Sequence, residues 1–220
     1  MKKIIITVLV VFTVWAGVVQ AAIYNIGPGD NFGNLTLVDY DSLFMTGGEG
    51  HNLSLGDWSS ATIENTAPLI DQYTGGIWQV TPNGYSVFNF NGGEINSVET
   101  WWDSTVNMTG GALTTLVTNS ESTAYISGGQ IDTLTSNQSL FFDPLDEQFH
   151  GRIHIYCLDW GYDPVGSLLT GTWEDSSTFN VNLIDGIYDP TFDNLEFHII
   201  PEPATLFIFA LGGLLLRRRA

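Results

Sequence analysis

The side chains that could do acid–base chemistry in this sequence are mainly carboxylates, with four histidines and very few basic groups. Arg152 is the one Lys or Arg between the two chain ends. A polysaccharide lyase uses such a base to remove a proton beside a uronate carboxylate, and it needs further cations to offset the charge of the substrate. Two neighbouring carboxylates could instead hydrolyse a glycosidic bond, but no pair stands out by its spacing. We therefore expect a non-catalytic protein, with a polysaccharide-active lyase or glycoside hydrolase as the alternative.

The histidines do not predict a metal site. His51, His150, His154 and His198 are scattered, and a spacing of four between two of them brings ligands together on a helix but not on a strand. Residues 47–52 (GGEGHN) are close to a calcium-binding nonapeptide motif, but they end in Asn instead of Asp and have no tandem copies. We expect no metal and no cofactor, with calcium as the cation that acidic loops would favour.

The net charge of −18 restricts the class of partner. Asp and Glu number 24 against six Lys and Arg, and five of those six basic residues lie at the extreme chain ends. A surface this acidic is repelled by the phosphates of nucleic acids. We expect no nucleic-acid partner.

Tryptophan is the residue type that could mark a binding surface. The adjacent Trp101 and Trp102 must direct at least one indole outward from a strand or a turn, and exposed aromatic rings stack on sugars. These two residues are the predicted carbohydrate contacts. Packing over the ends of the fold is the alternative for the whole set, which comprises Trp58, Trp78, Trp101, Trp102, Trp160 and Trp173.

The elements that would position these residues follow from a repeat. Residues 88–105, 106–123 and 124–141 align without a gap at a period of 18. Each copy has apolar residues at positions 1 and 3, Gly-Gly at positions 5 and 6, and aliphatic residues at positions 8 and 11. An earlier copy begins at Leu43, and Ala61 restarts the pattern 18 residues later. The copies therefore form a real structural repeat.

This unit predicts an all-β fold, a parallel β-helix or solenoid. The alternating residues form a short strand, the Gly-Gly pair permits a tight corner with positive φ, and the aliphatic residues form a second strand. Stacked copies bury a core that no single copy could bury. We predict about six coils of 18 residues within residues 22–142. A β-sandwich is the alternative, and the constant period argues against it.

The period stops after Phe142, although the chain keeps its strand-like alternation. Residues 143–200 contain alternating segments separated by turns at Asp163-Pro164, Asp185-Gly186 and Asp189-Pro190. We predict a small antiparallel β cap that covers the C-terminal end of the solenoid. Cys157 has no second cysteine to pair with, and its apolar neighbours predict a buried side chain.

The N-terminus predicts export. Lys2 and Lys3 precede an apolar run over residues 4–19, and Ala21 and Ala22 supply the small residues of a cleavage site. This is the pattern of a secretory signal peptide over residues 1–21. We place cleavage after Ala21, with Ala22 as the alternative position. An uncleaved signal anchor is the competing interpretation, although the run is short for a membrane span.

The C-terminus combines three features in a fixed order. Pro201, Glu202 and Pro203 precede an apolar segment over residues 204–216, and Arg217, Arg218 and Arg219 follow it. As a helix this segment is about 20 Å long, against a hydrocarbon core of about 30 Å. With the arginines on the cytoplasmic side, it predicts a short membrane helix that stops transfer. An ordinary membrane anchor is one interpretation.

The order of these features resembles the PEP-CTERM sorting signal of bacterial exported proteins. The resemblance implies that an exosortase, a membrane-embedded transpeptidase, recognises Pro201, Glu202 and Pro203 and removes the tail. It also implies a transient inner-membrane anchor, followed by delivery to the cell surface or its exopolysaccharide. We therefore expect an exported, non-catalytic protein of the cell surface or extracellular matrix, with a role in adhesion or exopolysaccharide association.

Overall fold

A computed structural model describes residues 21–72, 74–137, 151–186 and 190–201. Across these ranges the chain is all-β, apart from a 3₁₀ helix at Thr191–Asn194. The strands, in chain order, are β1 (Ile23–Ile26), β2 (Asn34–Leu37), β3 (Ser42–Met45), β4 (Gly50–Leu55), β5 (Ser60–Ile63), β6 (Ile77–Pro82), β7 (Val87–Phe90), β8 (Glu94–Thr100), β9 (Thr105–Met108), β10 (Ala112–Asn119), β11 (Thr123–Ile126), β12 (Gln130–Asn137), β13 (Arg152–Cys157), β14 (Asp159–Asp163), β15 (Leu168–Thr172), β16 (Thr178–Leu183) and β17 (Leu195–Ile199).

The strands form two mostly parallel sheets, and the chain alternates between them up to β12. Sheet I has the order β1-β3-β5-β7-β9-β11-β13-β17. Sheet II has the order β14-β15-β16-β12-β10-β8-β6-β4-β2. The prediction of an all-β fold is confirmed, and two parallel sheets of this kind are compatible with a β-solenoid.

The register of the sheets follows the sequence period. Phe88 pairs with Val106 and Val106 with Ala124 in sheet I, each partner lying 18 residues along the chain. Ile95, Leu113 and Ile131 align in the same way in sheet II. The offset grows to 27 residues where Ala61 pairs with Phe88, because residues 64–76 form a longer connection between β5 and β6.

The core lies between the two sheets and consists of inward-facing columns. The apolar residues at the first, third, eighth and eleventh repeat positions are buried, as predicted. Partly buried side chains then pack against the core near its two ends, namely Tyr24, Ile26, Phe32, Leu35, Tyr162, Phe192, Leu195 and Phe197. Burial of these columns is the main favourable contribution to the stability of the fold.

The Gly-Gly corners are formed as predicted, and the two glycines of each pair serve different purposes. The second glycine adopts positive φ, with values of 93° at Gly93, 81° at Gly111 and 90° at Gly129. The first lies against the backbone of the preceding copy. A Cβ added to Gly128 would lie 2.4 Å from the carbonyl oxygen of Thr109, which is closer than van der Waals contact permits. Both positions therefore exclude larger side chains.

The C-terminal part differs from the predicted cap. Strands β14, β15 and β16 are antiparallel, as predicted. However, β13 and β17 extend sheet I in parallel, and β16 pairs in parallel with β12. The physical reason is that alternation in β13 places Ile153 and Ile155 beside Ala124 and Ile126, which continues the buried columns and pairs an otherwise open sheet edge.

Candidate functional site

The corner opposite the Gly-Gly pairs is a series of four-residue turns at residues 38–41, 56–59, 83–86, 101–104 and 119–122. In four of them, at 38–41, 56–59, 83–86 and 119–122, the amide of the last residue donates to the carbonyl of the first at 3.0–3.3 Å. The second residue has positive φ in every turn: Asp39, Asp57, Gly84, Trp102 and Ser120. Trp102, at φ 56°, is a bulky side chain in a conformation that such residues rarely adopt.

Exposed aromatic side chains follow this corner over four turns. We call Tyr40, Trp58, Tyr85 and Trp102 the aromatic corner. Trp58 is 55% exposed, Tyr85 53% and Trp102 39%. The rings of Trp58 and Tyr85 stack with their centroids 4.5 Å apart. Because the turns follow one another at the strand spacing, the rings line one edge of the molecule.

Of the predicted carbohydrate contacts, Trp102 belongs to this corner and Trp101 is half-buried. The remaining tryptophans have other environments. Trp78 is half-buried on β6, and Trp160 stacks on Phe197 with centroids 4.0 Å apart. The buried Trp173 donates from Nε1 to the carbonyl of Gly129 at 2.9 Å. The predicted carbohydrate contacts did not include Tyr40 and Tyr85. Each of these residues directly precedes the last residue of its turn, and that last residue is small or acidic in every turn.

A column of buried hydroxyl groups supports the aromatic corner from inside. The last residue of each turn from 56–59 onward is a fully buried serine: Ser59, Ser86, Ser104 and Ser122. Ser122 Oγ accepts from the amide of Asn119 at 3.1 Å and pairs with the hydroxyl of Thr100 at 2.6 Å. Ser86 Oγ accepts from the amide of Asn83 at 2.9 Å. These bonds hold the backbone of the turns at 83–86 and 119–122.

The outer face of sheet I carries a different group of side chains at its C-terminal end. His154 on β13 lies opposite Glu196 on β17, and His198 follows two residues later on the same face. His154 Nδ1 lies 3.0 Å from His198 Nε2, and Glu196 lies 3.3 Å from the former and 3.5 Å from the latter. We call these three residues the His–Glu cluster.

Two tyrosines pack against the imidazole rings of the His–Glu cluster. Tyr125 stacks on His154 with ring centroids 4.8 Å apart, and Tyr156 stacks on His198 at 4.5 Å. Partial burial lowers the pKa of His154, and the nearby His198 and Arg152 lower it further, while Glu196 opposes the shift. His154 is therefore held toward the neutral form, which has a nitrogen lone pair available.

Among the described residues, this cluster is the group of three His, Cys, Asp or Glu side chains whose ligand atoms lie within 4.8 Å of one another. No pattern in the sequence predicted this cluster. His150, the residue compared with His154 on spacing, lies outside the described residues. The alternation of strand residues predicts that Glu196 and His198 share one face of a strand. The sequence does not show that this strand pairs beside His154, at an offset of 42 residues.

The nonapeptide-like segment 47–52 has a structural role. Gly48 forms a positive-φ corner at 92°. The carboxylate of Glu49 accepts hydrogen bonds from the side-chain amide of Asn31 and the backbone amide of Gly75, each at 2.7 Å. These bonds connect the segment to Asn31 on one side and to Gly75 on the other, and each oxygen of Glu49 accepts one of them. Calcium at these loops stays a prediction.

The predicted processing residues lie at the two boundaries of the described chain. Ala21 and Ala22 directly precede β1, and the amide of Ala22 donates to Asp41 Oδ1 at 2.7 Å. Pro201 is exposed and directly follows Ile200, whose amide donates to the carbonyl of Cys157 at 2.9 Å. The residues outside the described part of the chain are Glu202, Pro203, the apolar segment 204–216, the arginines at 217–219, and residues 1–20 of the predicted signal peptide at 1–21.

Within the part of the chain that is described, no helix is long and apolar enough to cross a membrane. Comparisons of the chain with known protein families, curated proteins and solved structures found no match.

Proposed function

We propose that this chain is an exported, non-catalytic scaffold of the cell surface or extracellular matrix, which an exosortase processes at a PEP-CTERM tail and which contacts polysaccharide through the aromatic corner. The observation that carries the binding role is the repetition of exposed aromatic side chains at equivalent turns, on Tyr40, Trp58, Tyr85 and Trp102. Aromatic rings of this kind combine large apolar faces with polar edges, which suits sugar rings.

The charge of the chain selects among polysaccharides. With a net charge of −18, the protein repels a polyuronate and has no comparable penalty with a neutral glucan. The four residues of the aromatic corner carry no charge, although Asp39, Asp57 and Asp103 lie beside them. A neutral exopolysaccharide is therefore the ligand class that this corner favours.

A non-catalytic role is also supported by the surface of sheet II. A depression of about 310 Å³, open to solvent, is lined in part by Glu94 and Asp132. These residues are two coils apart and displaced along the strand, so their Cα atoms are about 12 Å apart. The carboxylate of Glu94 accepts a hydrogen bond from the amide of Leu69 at 2.6 Å. A glycosidase needs two carboxylates that are free to act on the substrate, whereas this hydrogen bond engages Glu94 in holding the backbone at Leu69.

The export role is supported by the positions of Ala22 and Pro201 next to β1 and β17. Ala22 begins the hydrogen-bonded body, so cleavage after Ala21 would place the new α-amino group beside the carboxylate of Asp41. Pro201 lies just beyond sheet I and is exposed, as a processing enzyme requires.

Mass spectrometry of the native protein after cell fractionation tests this proposal. We expect a mature N-terminus at Ala22 and loss of the triple-arginine end, with the body recovered from the surface or matrix fraction. A chain in the inner membrane that still ends in Arg217-Arg218-Arg219-Ala220 would contradict sorting. A chain that retains residues 1–21 would contradict signal cleavage. Release of reducing ends or unsaturated products from polysaccharides would favour the enzyme alternative.

A further inference from the structure

We propose that His154, Glu196 and His198 bind a divalent transition-metal ion of the zinc class. The site lies on the outer face of sheet I, on strands β13 and β17. It is separate from the aromatic corner, and the proposal holds whether or not the chain is exported.

The distances within the cluster match those of a metal coordination sphere. Zinc binds imidazole nitrogen at about 2.0–2.1 Å and carboxylate oxygen at about 2.0–2.2 Å, usually as a tetrahedron. Ligand atoms on such a tetrahedron are about 3.3 Å apart. Here His154 Nδ1 and His198 Nε2 are 3.0 Å apart, while Oε2 of Glu196 lies 3.3 Å from His154 Nδ1 and Oε1 of Glu196 lies 3.5 Å from His198 Nε2. With one oxygen of Glu196 counted, all three ligand atoms lie within 4.8 Å of one another, and a rotation of this exposed carboxylate would bring them around one ion.

The strands hold the ligands before any metal binds. The register places His154 opposite Glu196 and Tyr156 opposite His198, all on the solvent side of a parallel pair. Stacking on Tyr125 and Tyr156 restricts rotation of the two imidazole rings. Ligands that are fixed in this way lose little conformational entropy on binding, which favours affinity.

The donor set selects the class of metal. Imidazole nitrogen suits zinc, copper, nickel and iron, whereas calcium and magnesium prefer sites made of oxygen. The thiol of Cys157 is buried in the core and does not belong to the site. The side chains are 16% exposed at His154, 34% at His198 and 63% at Glu196. The ion can therefore enter from solvent and keep a fourth position for water or another ligand.

The ion would also fasten the end of sheet I. β17 is the last strand of that sheet in the described chain, and Pro201 follows it two residues later. A metal shared by β13 and β17 links the edge strand to its inner neighbour. Amide hydrogens of β17 should then exchange more slowly with solvent when metal is present.

Calorimetric titration with Zn²⁺ tests the proposal, using the full-length chain in mild detergent without a histidine tag. Excess Mg²⁺ is included to occupy the dispersed carboxylates. We expect one tight equivalent of Zn²⁺, and Co²⁺ should give the visible bands of a tetrahedral site. His198→Ala and Glu196→Gln should each weaken Zn²⁺ binding by at least about tenfold, since even outer-shell changes cost about 10–100-fold.

Matched controls separate this site from other groups of the same type. His51→Ala removes a histidine whose ring bonds to Gln72 on another part of the surface, and Glu99→Gln removes a carboxylate of sheet II. Both variants should bind Zn²⁺ like the wild type. Equal affinity in His198→Ala and the wild type would overturn the proposal.

X-ray absorption of the zinc-loaded wild type identifies the ligands of the ion directly. This result does not depend on whether any variant folds. Two imidazole ligands per zinc support the site. A spectrum with oxygen ligands alone would show that the ion binds to surface carboxylates, and the proposal would then be wrong.

Discussion

At the scale of single residues, the four-residue turns differ in how they use the buried hydroxyl group of their last residue. Ser122 Oγ donates to the carbonyl of Asn119 at 2.7 Å and also satisfies the amide of that residue. Ser59 occupies the same position in an earlier turn and is equally buried, but its hydroxyl has no hydrogen-bond partner. A buried polar group stabilises a fold only when it is paired. Two serines at one repeat position therefore have opposite energetic roles.

Substitution of these two serines by alanine should separate the roles. Ser122→Ala removes the hydrogen bonds of this hydroxyl to Asn119 and Thr100, and we expect a loss of about 1–3 kcal/mol in the free energy of unfolding. Ser59→Ala removes an unpaired hydroxyl, and we expect no loss or a small gain. The change in urea midpoint at constant m-value measures both. Equal losses in the two variants would show that the hydroxyl of Ser59 is satisfied in solution.

At the scale of elements, the Gly-Gly corners set how closely successive strands of the two sheets can stack. The first glycine of a pair contacts the backbone of the previous copy, and the second provides positive φ. Sequence reasoning identified the positive φ but not the close backbone contact. The contact depends on the neighbouring copy, so a single unit of the repeat does not reveal it.

Replacement of Gly128 by alanine tests the contact. Its Cβ would lie 2.4 Å from the carbonyl oxygen of Thr109, and neither backbone can move without shifting a whole coil. We expect a loss of about 2 kcal/mol or more in the free energy of unfolding. Gly56→Ala is the control, because its Cβ would meet its nearest neighbour, the carbonyl oxygen of Leu37, at 3.7 Å. That variant should change stability by less than about 1 kcal/mol; a comparable loss there would contradict the contact argument.

At the scale of the whole molecule, the stacking of turns converts a local feature into a long surface. The aromatic corner brings together residues that lie up to 62 positions apart in the chain but in successive turns of the structure, namely Tyr40, Trp58, Tyr85 and Trp102. The His–Glu cluster lies on sheet I near its C-terminal end, away from these turns. One acidic body therefore carries two surfaces with different chemistry.

Variants of the aromatic corner test its proposed contact with polysaccharide. Trp102→Gly removes the indole and keeps positive φ, since Gly84 already occupies the equivalent position. We expect about tenfold weaker binding to a neutral exopolysaccharide, measured by affinity electrophoresis. Trp160→Ala removes an exposed indole that lies elsewhere, stacked on Phe197. Unchanged binding in Trp102→Gly, or an equal loss in Trp160→Ala, would contradict a role for this corner.

The sequence by itself determined the parts of this protein that recur at a constant spacing. The period of 18 placed Phe88, Val106 and Ala124 in one buried column, because each coil returns the chain to the same point of the sheet. The alternation of strand residues determined which side chains face inward. The charge and the two terminal segments are likewise properties of the sequence alone.

Only the tertiary structure decided the contacts that cross a change in spacing. His154 meets Glu196 because the excursion through β14, β15 and β16 ends where β17 can pair with β13. The length of that excursion carries no periodic signal, so no pattern in the sequence predicts the offset.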